Sequence, residues 1–129
     1  MWDDLGEYIS KVKKKKHLKV AEVAIGKFDK VYEYLNNKED ITIIKTDISP
    51  KDDGVIKDDI TCPNIELYKD VDIIYSIRPP SEIQPYLIDL KEKTNAILII
   101  KPLFNEDLNT GTKKMKLKNY KKASFYILM

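Results

Sequence analysis

The stretch VDIIYSIRPPSEIQPYLIDLKEKTNAILIIKPL, residues 71–103, decides the fold. Its first seven residues form an apolar run rich in β-branched side chains, as a buried strand requires. Pro79 and Pro80 close that run, because neither can donate to a ladder or continue a helix interior. Residues 81–94 read as a helix and NAILIIKPL, 95–103, as another strand. Strand, helix and strand in that order imply parallel pairing through a right-handed crossover.

The same alternation extends upstream. LKVAEVAI, Leu18 to Ile25, is a short β-branched run that stops at Gly26, and KFDKVYEYLNN places Phe28, Val31, Tyr32 and Leu35 at helical spacing before Asn36 and Asn37. ITIIKTDI reads as a strand closed by Ser49-Pro50, and GVIKDDI, 54–60, as a shorter one closed by Cys62-Pro63. Residues 3–13 set Leu5, Tyr8, Ile9 and Val12 on one helical face beside Trp2, with Asp3 or Asp4 available as cap; the KKKK run at 13–16 is a solvated exit. Downstream, KMKLKNYKKASFYILM reads as two strands around a turn near 119–122, an antiparallel edge on the sheet. The expected fold is therefore α/β: a Rossmann-like, mostly parallel sheet with helices on both faces and a C-terminal antiparallel hairpin. One domain over 1–129 is expected, with the 1–16 helix packed on it. The polar segment 101–114, with Gly111, is the candidate lid.

Composition narrows the function classes. With 129 residues the chain suits one domain with a real core, and its 23 basic and 21 acidic side chains nearly cancel, leaving no global field for a polyanion. The single cysteine, Cys62, excludes an internal disulfide and reads as a small buried hydrophobe. No apolar run approaches the roughly 20 residues that span a bilayer, and the acidic, amphipathic start is unlike a secretory signal. A cytoplasmic protein is expected. Lys and Ile abundance fits a thermophile, or equally the base composition of a genome. His17 stands far in sequence from Cys62, makes no metal-ligand spacing with it and reads as a surface residue, so no metal is expected. The lysines at 13–16 and 113–122, near Tyr120 and Phe125, could touch RNA, but such runs are usually solvated faces, and nucleic-acid contact is not favoured. Trp2, Tyr8, Phe28 and Tyr32 read first as packing residues.

In an open α/β sheet, ligands bind outside the carboxyl ends of the strands. The residues there are Glu22 to Asp29 on the first strand, Asp47 and Ser49 on the second, Asp58 and Asp59 on the third and Ser76 to Pro80 on the fourth. Against a dinucleotide fingerprint, Ala24 fills the first glycine position, Gly26 the second and Asp29 the third. Asp29 in a first helical turn would repel phosphate, so a ligand with a ribose and a cationic head fits better than a pyrophosphate. Asp47, twenty-one residues after Gly26, stands where a carboxylate accepts from two ribose hydroxyls, although DISP is also good turn chemistry. Arg78 is the only arginine among twenty-two lysines. Its planar fork either pairs with a nearby carboxylate or grips an anion on a ligand, and the prolines after it restrict its pose.

VAEVAIGKF, TDISP, DDI, DIIYSIRPP and ILIIKPL resemble, in order and spacing, the strand-end motifs of class I S-adenosylmethionine-dependent methyltransferases. From about Lys19 onward the chain is similar, more closely still, to an uncharacterised archaeal family of small Rossmann-like, methyltransferase-like proteins, with SIRPP the most specific segment. The resemblance implies a minimal methyltransferase-like fold and S-adenosylmethionine as cofactor. It assigns Glu22, Ala24, Gly26 and Phe28 to the first loop, where Ala24 replaces a glycine, and Asp47 to the ribose. Asp58 or Asp59 would meet the adenine amino group, with Asp59 preferred; Ser76 would face the methyl group, and Arg78, Pro79 and Pro80 the acceptor. No catalytic base is identified, Tyr75 and the aspartates being ambiguous, and the acceptor is unknown. The alternatives are a non-catalytic module holding S-adenosylmethionine or its demethylated product, and an interaction protein without a small ligand.

Overall fold

The computed structural model describes residues 1–102, 108–109 and 114–129. The elements run α1 (Trp2–Lys11), β1 (Leu18–Val23), α2 (Lys30–Asn36), β2 (Ile41–Asp47), β3 (Ile56–Lys57), β4 (Ile73–Ile77), α3 (Gln84–Thr94), β5 (Ile97–Lys101), β6 (Lys116–Tyr120) and β7 (Ala123–Leu128). They build one seven-stranded sheet in the order β3-β2-β1-β4-β5-β7-β6. Strands β1 to β5 pair in parallel, while β7 lies antiparallel between β5 and β6. This is the expected Rossmann-like sheet with its C-terminal hairpin.

Both faces are covered, and the strand sequences show why. In β4 every residue is buried: Ile73, Tyr75 and Ile77 face one layer, and Ile74 faces the other. The first layer is α1 and α2, where Leu5, Ile9, Val31 and Leu35 pack on Val20, Ile73, Ile99 and Phe125. The second is α3, whose Leu87 and Leu90 pack on Ala21, Ile74, Leu98 and Ile100. Each such side chain contributes about 1.5–3 kcal/mol by leaving water, so the central strands are held from both sides. Between the helices of the first layer, a Cβ on Gly6 would collide with the ring of Tyr34, so glycine lets α1 approach α2 closely.

Several expectations need correction. The strand expected over 54–60 shrinks to two exposed residues, Ile56 and Lys57. Only the adjoining Val55 is buried, and Asp58 and Asp59 accept from the backbone N–H groups of Asn64 and Thr61, which turns the chain away from the ladder. Helix α1 has no side-chain cap; Asp3 and Asp4 lie in its first turn, where they suit the dipole, and Asp4 accepts from the Lys122 N–H. Phe28 and Asp29 precede α2 instead of lying inside it, with Asp29 at the N-cap position. The 13–16 run is not simply solvated: Lys13 and Lys15 reach buried Asp72, at 2.9 and 3.1 Å, and the Lys19 N–H also donates to it. Despite burial, these donors hold the Asp72 carboxyl below its usual range. Cys62 is exposed, not buried, because it belongs to the turn that replaces the end of the third strand.

His17 is exposed, as expected, with a ring nitrogen 2.6 Å from the Thr42 hydroxyl. Helix α3 ends on Asn95, in the left-handed conformation that asparagine tolerates. Much of the candidate lid, 101–114, lies outside the described residues. Among the described residues, no helix is long and apolar enough to cross a membrane and no group of His, Cys, Asp and Glu could hold a metal.

Candidate functional site

Strand β1 has β2 on one side and β4 on the other, so strand order reverses between β1 and β4. A parallel sheet opens a crevice at that point. There a cavity of about 330 Å³ opens, bounded by Val23 of β1 and Ala24 just after it, Asp47 of β2 and Ile48 just after it, the turn Asp58–Thr61, and Pro80 and Ile83 after β4. This volume lies in the range of small-molecule pockets, and such sites are mainly apolar with few polar groups.

Asp47 is the pivot of the site. Its Oδ2 accepts the Gly26 N–H at 2.8 Å, and its Oδ1 accepts the Ser49 N–H at 2.8 Å. The first bond ties the β1 loop to the end of β2; the second is the turn bond expected of DISP. Each oxygen retains a further lone pair, and Asp47 lines the cavity. The loop it holds is left-handed at Ala24 (φ 57°) and Gly26 (φ 59°). The positive φ at Gly26 favours glycine, and a Cβ there would meet nothing within 4 Å, so the space in front of the backbone is open. Ala24 adopts the same region at a cost of roughly 1–2 kcal/mol.

The two neighbouring carboxylates are fixed differently. Asp58 has a partner on each oxygen: Oδ1 accepts the Asn64 N–H at 2.9 Å, and Oδ2 the hydroxyl of buried Tyr68 at 2.8 Å. Burial, and then the Asp58 charge, raise the Tyr68 hydroxyl far above its usual pKa, so it stays a donor. Asp59 uses Oδ1 alone, for the N–H and hydroxyl of Thr61, which lower its pKa; its Oδ2 has no hydrogen-bond partner among the described residues.

Other expected site residues stand elsewhere. Glu22 does not line the cavity; it is fully buried in β1, and the Tyr75 hydroxyl donates to its Oε1 at 2.5 Å. Its Oε2 has no partner among the described residues, and burial pushes the carboxyl up to about 8. Ser76 is also buried, and its hydroxyl donates to the Val23 carbonyl at 2.7 Å, locking β4 to β1. Phe28 packs on Trp2 with centroids 4.6 Å apart, on the α1 side of the loop. The Arg78 guanidinium lies against both rings, 5.3 Å from Trp2 and 5.2 Å from Phe28. Pro79 is buried, and only Pro80 of that trio lines the cavity. The structure thus gathers Ala24, Asp47, Asp58, Asp59 and Pro80 around one cavity, with Gly26 tied to Asp47.

Sequence reasoning missed the apolar walls Ile48, Ile60 and Ile83. Ile48 reads in the sequence as the last residue of an apolar run, and only the fold shows it 59% exposed. It also missed Gln84, whose side chain donates to the Pro79 carbonyl at 3.1 Å and accepts the Asn109 N–H at 2.6 Å, fixing the loop after β4.

Among solved structures, the chain is similar to the sugar N-methyltransferase KedS8 from Streptoalloteichus, with a TM-score of 0.56 and 12% identity. The match covers 92% of this chain, which spans 56% of that enzyme's chain, so the likeness is one of fold. A UPF0146 protein from Methanothermobacter thermautotrophicus is 42% identical over 126 residues, covering 98% of this chain and 93% of its own. Another from Methanocaldococcus jannaschii is 44% identical over 131 residues, covering 94% and 91%, and one from Archaeoglobus fulgidus 33% over 114, covering 85% and 83%. These relatives come from thermophilic archaea. Residues 2–129 match the family model described as uncharacterised protein family UPF0146, and the chain belongs to that family.

Proposed function

We propose that this chain binds S-adenosylmethionine in the crevice at the ends of β1, β2 and β4 and acts as a small methyltransferase. The observation that carries the reading is Asp47: one carboxylate at the cavity wall that also fastens the open, Cβ-free loop at Gly26. The adenine would lie between Ile48, Ile60 and Ile83, with its amino group on the free Oδ2 of Asp59. The ribose hydroxyls would donate to Asp47, and the loop from Ala24 to Gly26 would pass beside the methionine part. Asp47, Asp58 and Asp59 together disfavour a phosphate-bearing nucleotide and favour a ligand with a cationic sulfonium. The likeness of fold to a methyltransferase supports the same reading.

S-adenosylmethionine supplies an electrophilic methyl group, and transfer by in-line displacement needs mainly alignment. The protein's part is to hold the nucleoside, orient the loop and exclude water. A non-catalytic binding module is the second reading, favoured by one observation: Tyr75 and Ser76 of β4 have their hydroxyls buried and engaged with Glu22 and Val23. Turnover of methyl-labelled cofactor with cell fractions separates the two.

Filling the cavity tests the site itself. At a hundred times its Kd, S-adenosylhomocysteine should raise the melting temperature of the natural chain by roughly 5–10 °C. Ile60→Trp should lose most of that rise while melting, without ligand, within a few degrees of the natural chain. An undiminished rise in the variant would move the ligand out of this cavity.

A further inference from the structure

Strands β4 and β5 end side by side, with Ile77 in register with Lys101, and the Arg78 N–H donates to the Lys101 carbonyl at 2.6 Å. Two cations therefore emerge at adjacent strand ends. Lys101 is half-buried, and its ammonium is disfavoured first by that burial and then by the Arg78 charge. Among the described residues, neither has a carboxylate within ion-pair distance. Elsewhere the chain behaves differently: buried Asp72 draws in two lysines. A like-charged pair with no counter-charge among the described residues becomes more favourable when an anion arrives.

Arg78 is also held in a defined pose. Its φ of 54° is strained for any residue with a Cβ, and more so before a proline. The Trp2 and Phe28 rings pack against the guanidinium, and such rings leave the N–H edge free for a planar, two-oxygen acceptor. Lysine, a point charge on a flexible stem, does not offer such an edge. The pair stands across the β4 loop from the nucleoside cavity, since Pro80 lines that cavity and Arg78 does not.

We infer that Arg78 and Lys101 form an oxyanion subsite, so that the methyl acceptor is a small molecule bearing a carboxylate or phosphate. The inference rests on the methyltransferase reading, and the same chemistry could come from the carboxylate of the cofactor, so both must be tested.

The test titrates succinate and pyrophosphate into the full-length chain, with and without saturating S-adenosylhomocysteine, following backbone and arginine side-chain resonances by NMR. One of the two anions should shift Arg78 and Lys101 signals saturably, and Arg78→Gln should weaken that binding at least about tenfold. Affinity for S-adenosylhomocysteine should stay within about twofold in the variant. If that affinity falls while affinity for 5′-methylthioadenosine, which lacks the carboxylate, does not, the pair serves the cofactor and the inference is overturned. Anion binding unchanged in Arg78→Gln, or absent from the natural chain, overturns it as well. If S-adenosylhomocysteine itself does not bind, the proposed function falls, while the anion titration of the unliganded chain still decides on the subsite. Should Arg78→Gln fail to fold by circular dichroism, Lys101→Gln is read against the same outcomes.

Discussion

Glu22→Gln should make the protein more stable than the natural chain at pH 9 and remove a fall in stability between about pH 4.5 and 8. The cause is the buried carboxyl in β1, whose pKa rises from 4.5 to about 8 as burial penalises its charged form. The Tyr75 hydrogen bond and Lys45 oppose that shift, and Asp29 adds to it. Between those two values the folded chain holds a proton that the unfolded chain has released. Stability from this group is therefore fully present below the unfolded pKa, declines as pH rises through the window, and levels off above the folded pKa. At about 1.4 kcal/mol per unit, the whole decline is about 4–5 kcal/mol, a large share of a domain's stability. Glutamine does not titrate, so its profile should be flat across the window. At pH 5 the variant should be equal or slightly weaker, because its amide N–H groups, like Glu22 Oε2, lack a partner. Urea unfolding at pH 5, 7 and 9 measures this, and two parallel profiles would sink the assignment.

Asp47→Ala should have two separable effects. Without ligand, the Gly26 and Ser49 N–H groups lose their acceptor, and the half-exposed position limits the destabilisation to about 1–2 kcal/mol. With ligand, two ribose hydroxyls lose a charged acceptor worth about 1.5–3 kcal/mol each, so affinity for S-adenosylhomocysteine should fall at least about a hundredfold. Asp47→Asn, which keeps one acceptor oxygen, should recover part of the first effect and little of the second. An Asp47→Ala variant that is destabilised but binds as the natural chain does would reduce Asp47 to a turn residue.

Legibility in the sequence followed burial. The runs over β1, β4 and β5 could be read because strands covered on both faces are apolar throughout, and Ile73, Ile74 and Leu98 leave no ambiguity. The place of Asp47, at the end of β2 and on the cavity wall, could be read because it follows from the strand's limits. Segment 54–60 misled because Val55 and Ile60 suggested a strand, whereas Asp58 and Asp59 spend their carboxylates on local N–H groups. Lys13 and Lys15 looked solvated because their partner, Asp72, is more than fifty residues away. The environment of Arg78 was hidden for the same reason: Trp2 and Phe28 meet it only in the folded chain. Glu22 sat in a recognisable motif, but the sequence alone does not say which face of β1 its side chain takes, and the structure turns it into the core against Tyr75.

The most direct measurement is a calorimetric titration of S-adenosylhomocysteine into the natural chain, with Asp47→Ala titrated in parallel. The expected result is one-to-one binding with a Kd of roughly micromolar order, lost in the variant. No heat of binding at millimolar ligand would contradict the proposed function and leave only the fold.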